Sequence, residues 1–376
     1  ISSAQLRVLA RIAREFDQPG AALLAHAQTT QDAIDTQALA GPVGGRPAPR
    51  LVTGTAHFTT RQNVQFNWIP LERSADVMDL LASVDMHGIQ TSGNCIRNIT
   101  SDALAGIAVD EVAYPRPFAE ILRQWSTLHP EFAFLPRKFK IAITGAREDR
   151  AATAWHDVGL RLVRNDAGAL GFEVAAGGGM GRTPVIASVL RPFLPWAEIL
   201  NYLEAVVRVY NRWGRRDNLY KARIKILIKA DGARYLEEVE ADYRRIVEQD
   251  GAPHTITQAE FDRVAAGFAP PAPTCDRRSA DARISAVLRA AAEDDTEFAR
   301  WLQRNVHAHR DPNLRAVTLS FKRIGQSPGD ATAAQLDAAA ELADTYSAGE
   351  ARVTHDQNLL LPWVRRDQLP ELWRAA

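Results

Sequence analysis

The sequence predicts an α/β (α+β) protein in which two duplicated half-domains flank a middle region. Three observations carry that reading. "SAQLRVLARIAREF" (3–16) matches "AAQLDAAAELADTY" (333–346), and "FTTRQNVQFNWI" (58–69) matches "VTHDQNLLLPWV" (353–364), each pair reading helix, then strand. The stretch between the copies alternates helix-period and strand-period segments. The 376 residues are 46% hydrophobic and 24% charged, the profile of a soluble globular chain long enough for two or three domains.

The elements follow in order. After the first helix, residues 18–52 have no counterpart in the second copy; they read as an insertion ending in Gly and Pro. "HFTTRQNVQFNWIP" (57–70) alternates like a strand, with His57, Thr59, Arg61, Asn63, Gln65 and Asn67 on a wholly polar face. "RPFAEILRQWSTLH" reads as a helix and "KFKIAITG" as a strand. "AWHDVGLRLVRND" and "LGFEVAAGGG" read as strands, and "PWAEILNYLEAVVRVYNRWG" as a long amphipathic helix. "KARIKILIKADG" reads as a strand, and "FAPPAPT" (268–274) as a proline-rich connector. The strand "AVTLSFKRIG" (316–325) precedes the second copy and has no equivalent before the first. The expected domains are 1–90, first half-domain; 91–267, middle domain; 268–315, linker and helical segment; and 316–376, second half-domain. Both ends read as cut.

Charge narrows the function. The net charge is zero, so no global field points to nucleic acid or membrane, and no apolar run approaches the roughly 18 residues of a membrane span. Cys95 and Cys275 lie in no metal or redox spacing, which suits a reducing cytoplasm and predicts no metal ligands in this chain. Only six residues are lysine against 39 arginines, and five of the six fall in two segments. "LPRKFKIAITG" puts Lys138 and Lys140 on one strand face and Arg137 on the other. "YKARIKILIKADG" puts Lys221, Arg223 and Lys225 on one face, opposite Ala222, Ile224, Ile226 and Ile228. Faces this rich in cations and free of carboxylates call for a bound polyanion, because each pair of cations at ~6 Å repels by roughly 3 kcal/mol at an effective dielectric near 20. The strands lack the interleaved aromatics of a single-strand nucleic-acid platform. "AAGGGMGRTP" (175–184) is neither a dinucleotide nor a P-loop fingerprint, but its glycines let backbone N–H groups approach an anion. "TSGNCIRNIT" (91–100) offers Asn94, Arg97 and Asn98 as carboxylate clamps.

"TTRQNVQF", "GNCIRN", "LPRKFKI" and "GGGMGRTP", in this order, resemble the sirohaem-dependent sulfite and nitrite reductase family, its bacterial sulfite reductase haemoprotein (beta) subunits above all. The resemblance covers nearly the whole chain outside the insertion. It implies two ferredoxin-like half-domains and an α/β sirohaem-binding middle domain. It also implies the six-electron reduction of sulfite to sulfide in sulfate assimilation, at a sirohaem coupled to a [4Fe–4S] cluster. By that match Arg61, Arg116, Lys138 and Lys140 would surround the oxyanion, polarising its S–O bonds and relaying protons. Thr59, Gln65, Asn94, Arg97, Asn98, Arg137, Gly178, Gly179, Arg182, Arg223 and Lys225 would hold the cofactor. The family's nitrite branch tends to have asparagine where Lys140 stands, so the resemblance favours sulfite; nitrite reduction to ammonia is the alternative, and an inactive anion-binding fragment a second. The four cysteines that ligate the cluster in the family would follow residue 376, so this chain alone is expected to be inactive. A flavoprotein or ferredoxin would supply the electrons.

Overall fold

The computed structural model describes residues 1–18, 54–271, 281–324 and 326–376. The insertion expected at 18–52, Gln18 apart, and the end of the proline-rich connector lie outside the described residues. The chain forms two compact units: residues 1–88 with 277–376, and residues 89–276.

The first segment opens with α1 (Ser3–Glu15), started by a capping box in which Gln5 N donates to Ser2 Oγ (3.1 Å) and Ser2 N to Gln5 Oε1 (2.9 Å). Its buried stripe is Leu6, Leu9, Ala10, Ile12 and Ala13. Next come β1 (Thr55–Phe58), β2 (Val64–Gln65) and α2 (Ser74–Ala82). The alternation over 57–70 is therefore not one strand. Thr59 to Asn63 turn the chain: Thr59 Oγ1 accepts from Arg61 N and Asn63 N (3.2 Å each), and Gln62 takes a left-handed φ of 56°. Five polar residues in a row have no apolar face to bury, so local side-chain bonds win over a sheet ladder.

The middle unit holds a five-stranded sheet, β3 (Thr100–Ser101), β4 (Ile141–Thr144), β5 (Val158–Arg164), β6 (Leu170–Ala176) and β7 (Ser188–Pro195), in that spatial order. The first three strands run parallel and the last pairs antiparallel. Helices α3 (Arg116–Ser126), α4 (Ile199–Trp213), α5 (Ile224–Glu248) and α6 (Gln258–Ala265) complete it. Phe118, Phe139, Phe172, Tyr202 and Tyr210 anchor its core.

One expected strand is a helix. Residues 224–232, with their cations, form the start of α5, and Arg223 is its N-cap. The isoleucines at alternate positions also satisfy a helical period, because Ile224, Leu227 and Ile228 share one face and join the core. Lys221, Arg223 and Lys225 therefore do not share a strand face. The helix bends at Asp231 (φ −155°, ψ 67°), whose Oδ1 accepts from Arg234 N at 3.3 Å.

The last segment contains α7 (Asp281–Asp294), α8 (Thr296–Asn305), β8 (Val306–Ala308), β9 (Leu314–Leu319), β10 (Asp330–Thr332), α9 (Ala333–Tyr346), β11 (Arg352–Val353), β12 (Leu359–Arg365) and α10 (Leu369–Ala375). Its strands order as β11-β12-β9-β8, while β10 crosses to form β10-β1-β2.

The duplication is real in three dimensions, and its two copies are exchanged by a twofold relation. Helix α9 repeats the capping box, with Thr332 and Gln335 in the places of Ser2 and Gln5. The residue before each helix makes a β-bridge to the other copy, Thr332 to Thr55 of β1 and Ser2 to Glu350 just before β11. Gln62 Nε2 donates to Val353 O, and its counterpart Gln357 Nε2 donates to Phe58 O, each at 3.0 Å. Where α1 and α9 pack, Arg7 pairs with Asp344 at 2.7 Å and Arg14 with Asp337. Reciprocal contacts of this kind define an isologous interface.

Candidate functional site

In the middle unit two predicted motifs run side by side. Phe139 N donates to Cys95 O (3.0 Å) and Arg97 N to Phe139 O (2.8 Å), so "GNCIRN" and "PRKFK" form a parallel bridge through Ile96 and Phe139. Both of these side chains are buried. Alternation then turns Lys138 and Lys140 away from the core. Arg97 is fixed by its own loop, Nε donating to Gly93 O (3.0 Å) and Nη1 to Thr91 O (2.6 Å).

The lysine pair leads to a buried acid that the sequence did not single out. Lys140 N donates to Asp157 Oδ2 at 2.8 Å, and Arg223 reaches Asp157 Oδ1 through Nη2 (2.7 Å) and Nε (3.0 Å). Asp157 is fully buried, and burial raises its pKa against the pull of Arg223. Its carbonyl accepts from Gly177 N (2.9 Å), tying the glycine loop to the same point. One aspartate thus joins the lysine segment, the start of α5 and the glycine loop.

Electrostatics show which cations converge. Lys138 has its pKa lowered, first by burial, then by the charges of Arg97, Arg223 and Arg137; Asp157 opposes. Three arginines and one carboxylate act on this lysine, and the carboxylate is already bonded to Arg223. Lys225 is also lowered, by burial and by Arg223.

The glycine loop closes on itself, with Gly179 N and Val185 N each donating to the other's carbonyl at 2.9 Å. Lys225, 7% exposed, sends Nζ into it, to Thr183 O (2.7 Å) and Met180 O (3.0 Å). Its ammonium thus serves the loop backbone. At Gly178 a Cβ would lie 2.5 Å from Ala154 O and 2.6 Å from His156 O, so no larger residue fits. Gly179 is buried, Arg182 is exposed at the loop tip, and Asn94 is exposed while Asn98 is half-buried.

Arg116 does not join this group. Val112 N and Ala113 N, just before it, bond to Gly145 O beyond the C-terminal end of β4, whereas Lys138 and Lys140 precede its N-terminal end. Its guanidinium lies 4.9 Å from the centre of the Phe268 ring. The arginine whose charge acts most strongly on Lys138 is Arg97. Arg61, Thr59 and Gln65 belong to the other unit: Arg61 is half-buried on its turn, the Thr59 hydroxyl serves that turn, and exposed Gln65 donates to Asn67 Oδ1 (2.7 Å).

A bridged pair of cationic segments beside a buried Asp–Arg bond and a glycine loop, carried with a duplicated half-domain, defines an α/β protein with a cationic face in its middle unit. The model of the nitrite and sulphite reductase 4Fe-4S domain matches residues 92–246, and that of the nitrite/sulfite reductase ferredoxin-like half domain matches 50–84 and 309–376. The chain belongs to the nitrite and sulfite reductase family. It is 31% identical over 293 residues to a sulfite reductase (ferredoxin) 1 of Mycolicibacterium paratuberculosis, covering 75% of this chain and 49% of the relative. It is 29% identical over 326 residues to a ferredoxin–nitrite reductase of Synechococcus elongatus, covering 84% and 54%. The solved structure of the Mycobacterium tuberculosis NirA protein shares the fold at TM-score 0.65 and 24% identity, over 99% of this chain and 53% of that one. The chain spans about half the length of these relatives. Among the described residues no helix is long and apolar enough to cross a membrane.

Proposed function

We infer that this chain provides the oxyanion-binding face and part of the sirohaem pocket of a cytoplasmic reductase taking sulfite to sulfide with six electrons. The observation that carries this is the strand pair bringing Arg97 and Lys138 together under a shared positive field. Two lysines with a neighbouring arginine fit a small oxyanion, and the depressed pKa of Lys138 makes it the better proton donor. Lys140 completes the substrate set on this unit, Arg61 is kept as a substrate cation on the family resemblance alone, and Arg116 is left out.

Sirohaem fits the donors present. Its carboxylates would add counter-charge to the single Asp157, with Arg137 and Arg223 as partners, while the space beside Gly178 and Gly179 is filled by the chain's own Ala154, His156 and Lys225, so these glycines serve the packing of the loop. When bound it would deliver electrons to the oxyanion. A [4Fe–4S] cluster does not fit these residues. Burial raises the Cys95 pKa and its Sγ donates to Ser92 O at 3.2 Å, the behaviour of a protonated thiol, and two cysteines cannot supply four thiolates. In this reading the cluster ligands come from outside the printed sequence, and a ferredoxin or flavoprotein is the donor.

The test is an anaerobic assay with reduced methyl viologen on the sirohaem-loaded full-length protein. Sulfide formation should exceed ammonia formation from nitrite, and Lys138→Met should lower it by about 10²–10³-fold. Residues 1–376 alone should give no sulfide. Preferred nitrite turnover would move the assignment to nitrite reduction, and a fully active Lys138→Met would remove the lysine from the site.

A further inference from the structure

The middle unit contains another group of side chains, with no part in the anion site. His129, Glu204 and His254 offer ligand atoms that all lie within 4.8 Å of one another. They come from three elements: the turn after α3, the buried face of α4, and the loop after α5. Glu204 is 1% exposed, and neither of its oxygens has a hydrogen-bond partner. Basic side chains stand close to it without aligning. Arg208 Nη2 is 3.0 Å from Oε1, and His129 Nε2 and His254 Nε2 are 3.3 and 3.8 Å from Oε2. A carboxylate taken out of water with no aligned donor is costly.

A metal ion would resolve this. Two imidazole nitrogens and one carboxylate oxygen are the donor set of a three-ligand zinc site with a fourth position for water. Ligand bonds of about 2.0–2.2 Å need the three atoms to close by roughly 1 Å. The surroundings allow that movement. His254 sits in a loop with left-handed residues Gly251 and Ala252, its backbone N held by Asn201 Oδ1 at 3.0 Å. The His129 ring stacks on Phe132 with centroids 3.9 Å apart, which fixes its plane. Arg208 does not block the site, because Glu131 holds it through two bonds of 2.7 and 2.8 Å. Glu204 can therefore turn to a cation without leaving that arginine unpaired. Ligation through His129 Nε2 places the ring proton on Nδ1 and gives up its long contact from Glu131 N (3.3 Å).

We propose that His129, Glu204 and His254 form a binding site for a zinc-class divalent cation that clasps α4 to the loops after α3 and α5. The site departs from the expectation drawn from cysteine spacing, and it does not depend on the reductase reading.

The test uses the purified chain, stripped with chelator and titrated with Zn²⁺ and with Co²⁺. One zinc should bind per chain, the melting temperature should rise by several degrees, and cobalt should give the visible bands of a four-coordinate site. His254→Ala, at a partly exposed position, should weaken binding on the order of 100-fold. Glu204→Gln, which keeps the shape and removes the charge, should do the same, and exposed His87→Ala should change nothing. Absence of a melting shift overturns the proposal, and so does a shift that survives both ligand variants. If His254→Ala does not fold, Glu204→Gln and the cobalt spectrum decide.

Discussion

The turns at 59–63 and 354–358 are built alike and carry different chemistry. In each, the first threonine's N–H bonds to the carbonyl of the asparagine four residues on (2.8 and 2.9 Å), and its hydroxyl accepts that asparagine's N–H at 3.2 Å. In each, the glutamine takes a left-handed φ, 56° at Gln62 and 62° at Gln357, and sends its amide across to the other copy. Between threonine and glutamine one turn presents Arg61 and the other Asp356. The lesson is a separation of tasks: Thr, Gln and Asn set the backbone, and the two residues between Thr and Gln (Thr60 and Arg61, His355 and Asp356) are free to differ. Only one copy presents a cation suited to an oxyanion.

The sharpest way to break the comparison is to exchange its variable position. Arg61→Met should lower sulfide formation by the loaded full-length enzyme by about 10²–10³-fold. Asp356→Asn should leave turnover unchanged; equal losses would show that the arginine acts only through the turn. The glutamines test the shared part. Gln62→Ala and Gln357→Ala should each cost about 1–2 kcal/mol in urea unfolding. Gln357 also donates to Pro328 O at 3.1 Å. A smaller effect belongs to the helix pair, where copy one supplies Arg7 and Arg14 and copy two Asp337 and Asp344. Arg14→Asp should lose about 0.5–1 kcal/mol, recovered by adding Asp337→Arg and flattened by salt; no recovery would mean the pair contributes nothing.

Acid gives a separate test. His309 lies against Trp363, counterpart of Trp68, and burial pushes its pKa from 6.5 down to about 4. The unfolded chain takes up this proton first. Stability should therefore be full above pH 6.5 and fall as the pH drops toward 4. His309→Phe should remove that part of the slope, and an unchanged slope would assign it elsewhere.

The sequence showed the duplication plainly, because Gln62 and Gln357 recur within matched stretches. It could not show that the copies exchange strands, since Ser2 and Glu350 carry no pattern that names their partners. The two lysines before β4 were legible by alternation. Arg97 was read as a carboxylate clamp but not as their neighbour, because that depends on a bridge between segments 43 residues apart. Arg223 and Lys225 were placed on a strand face that does not exist, because alternate isoleucines fit a helix as well as a strand. Asp157 gave no signal, being a single acid before a strand whose meaning comes only from the three segments bonded to it.

The crossed amides of Gln62 and Gln357 also set a timetable for biosynthesis. Gln62 is 291 residues from the carbonyl it bonds. At roughly 5–20 residues per second, a ribosome needs about 15–60 s to make that partner. The middle unit lies wholly within the interval and can complete its core while the first 88 residues wait. Until residues 330–353 emerge, β1 keeps an open edge and the apolar stripe of α1 stays uncovered. A ribosomal stall within that interval would prolong the exposure of this edge and stripe.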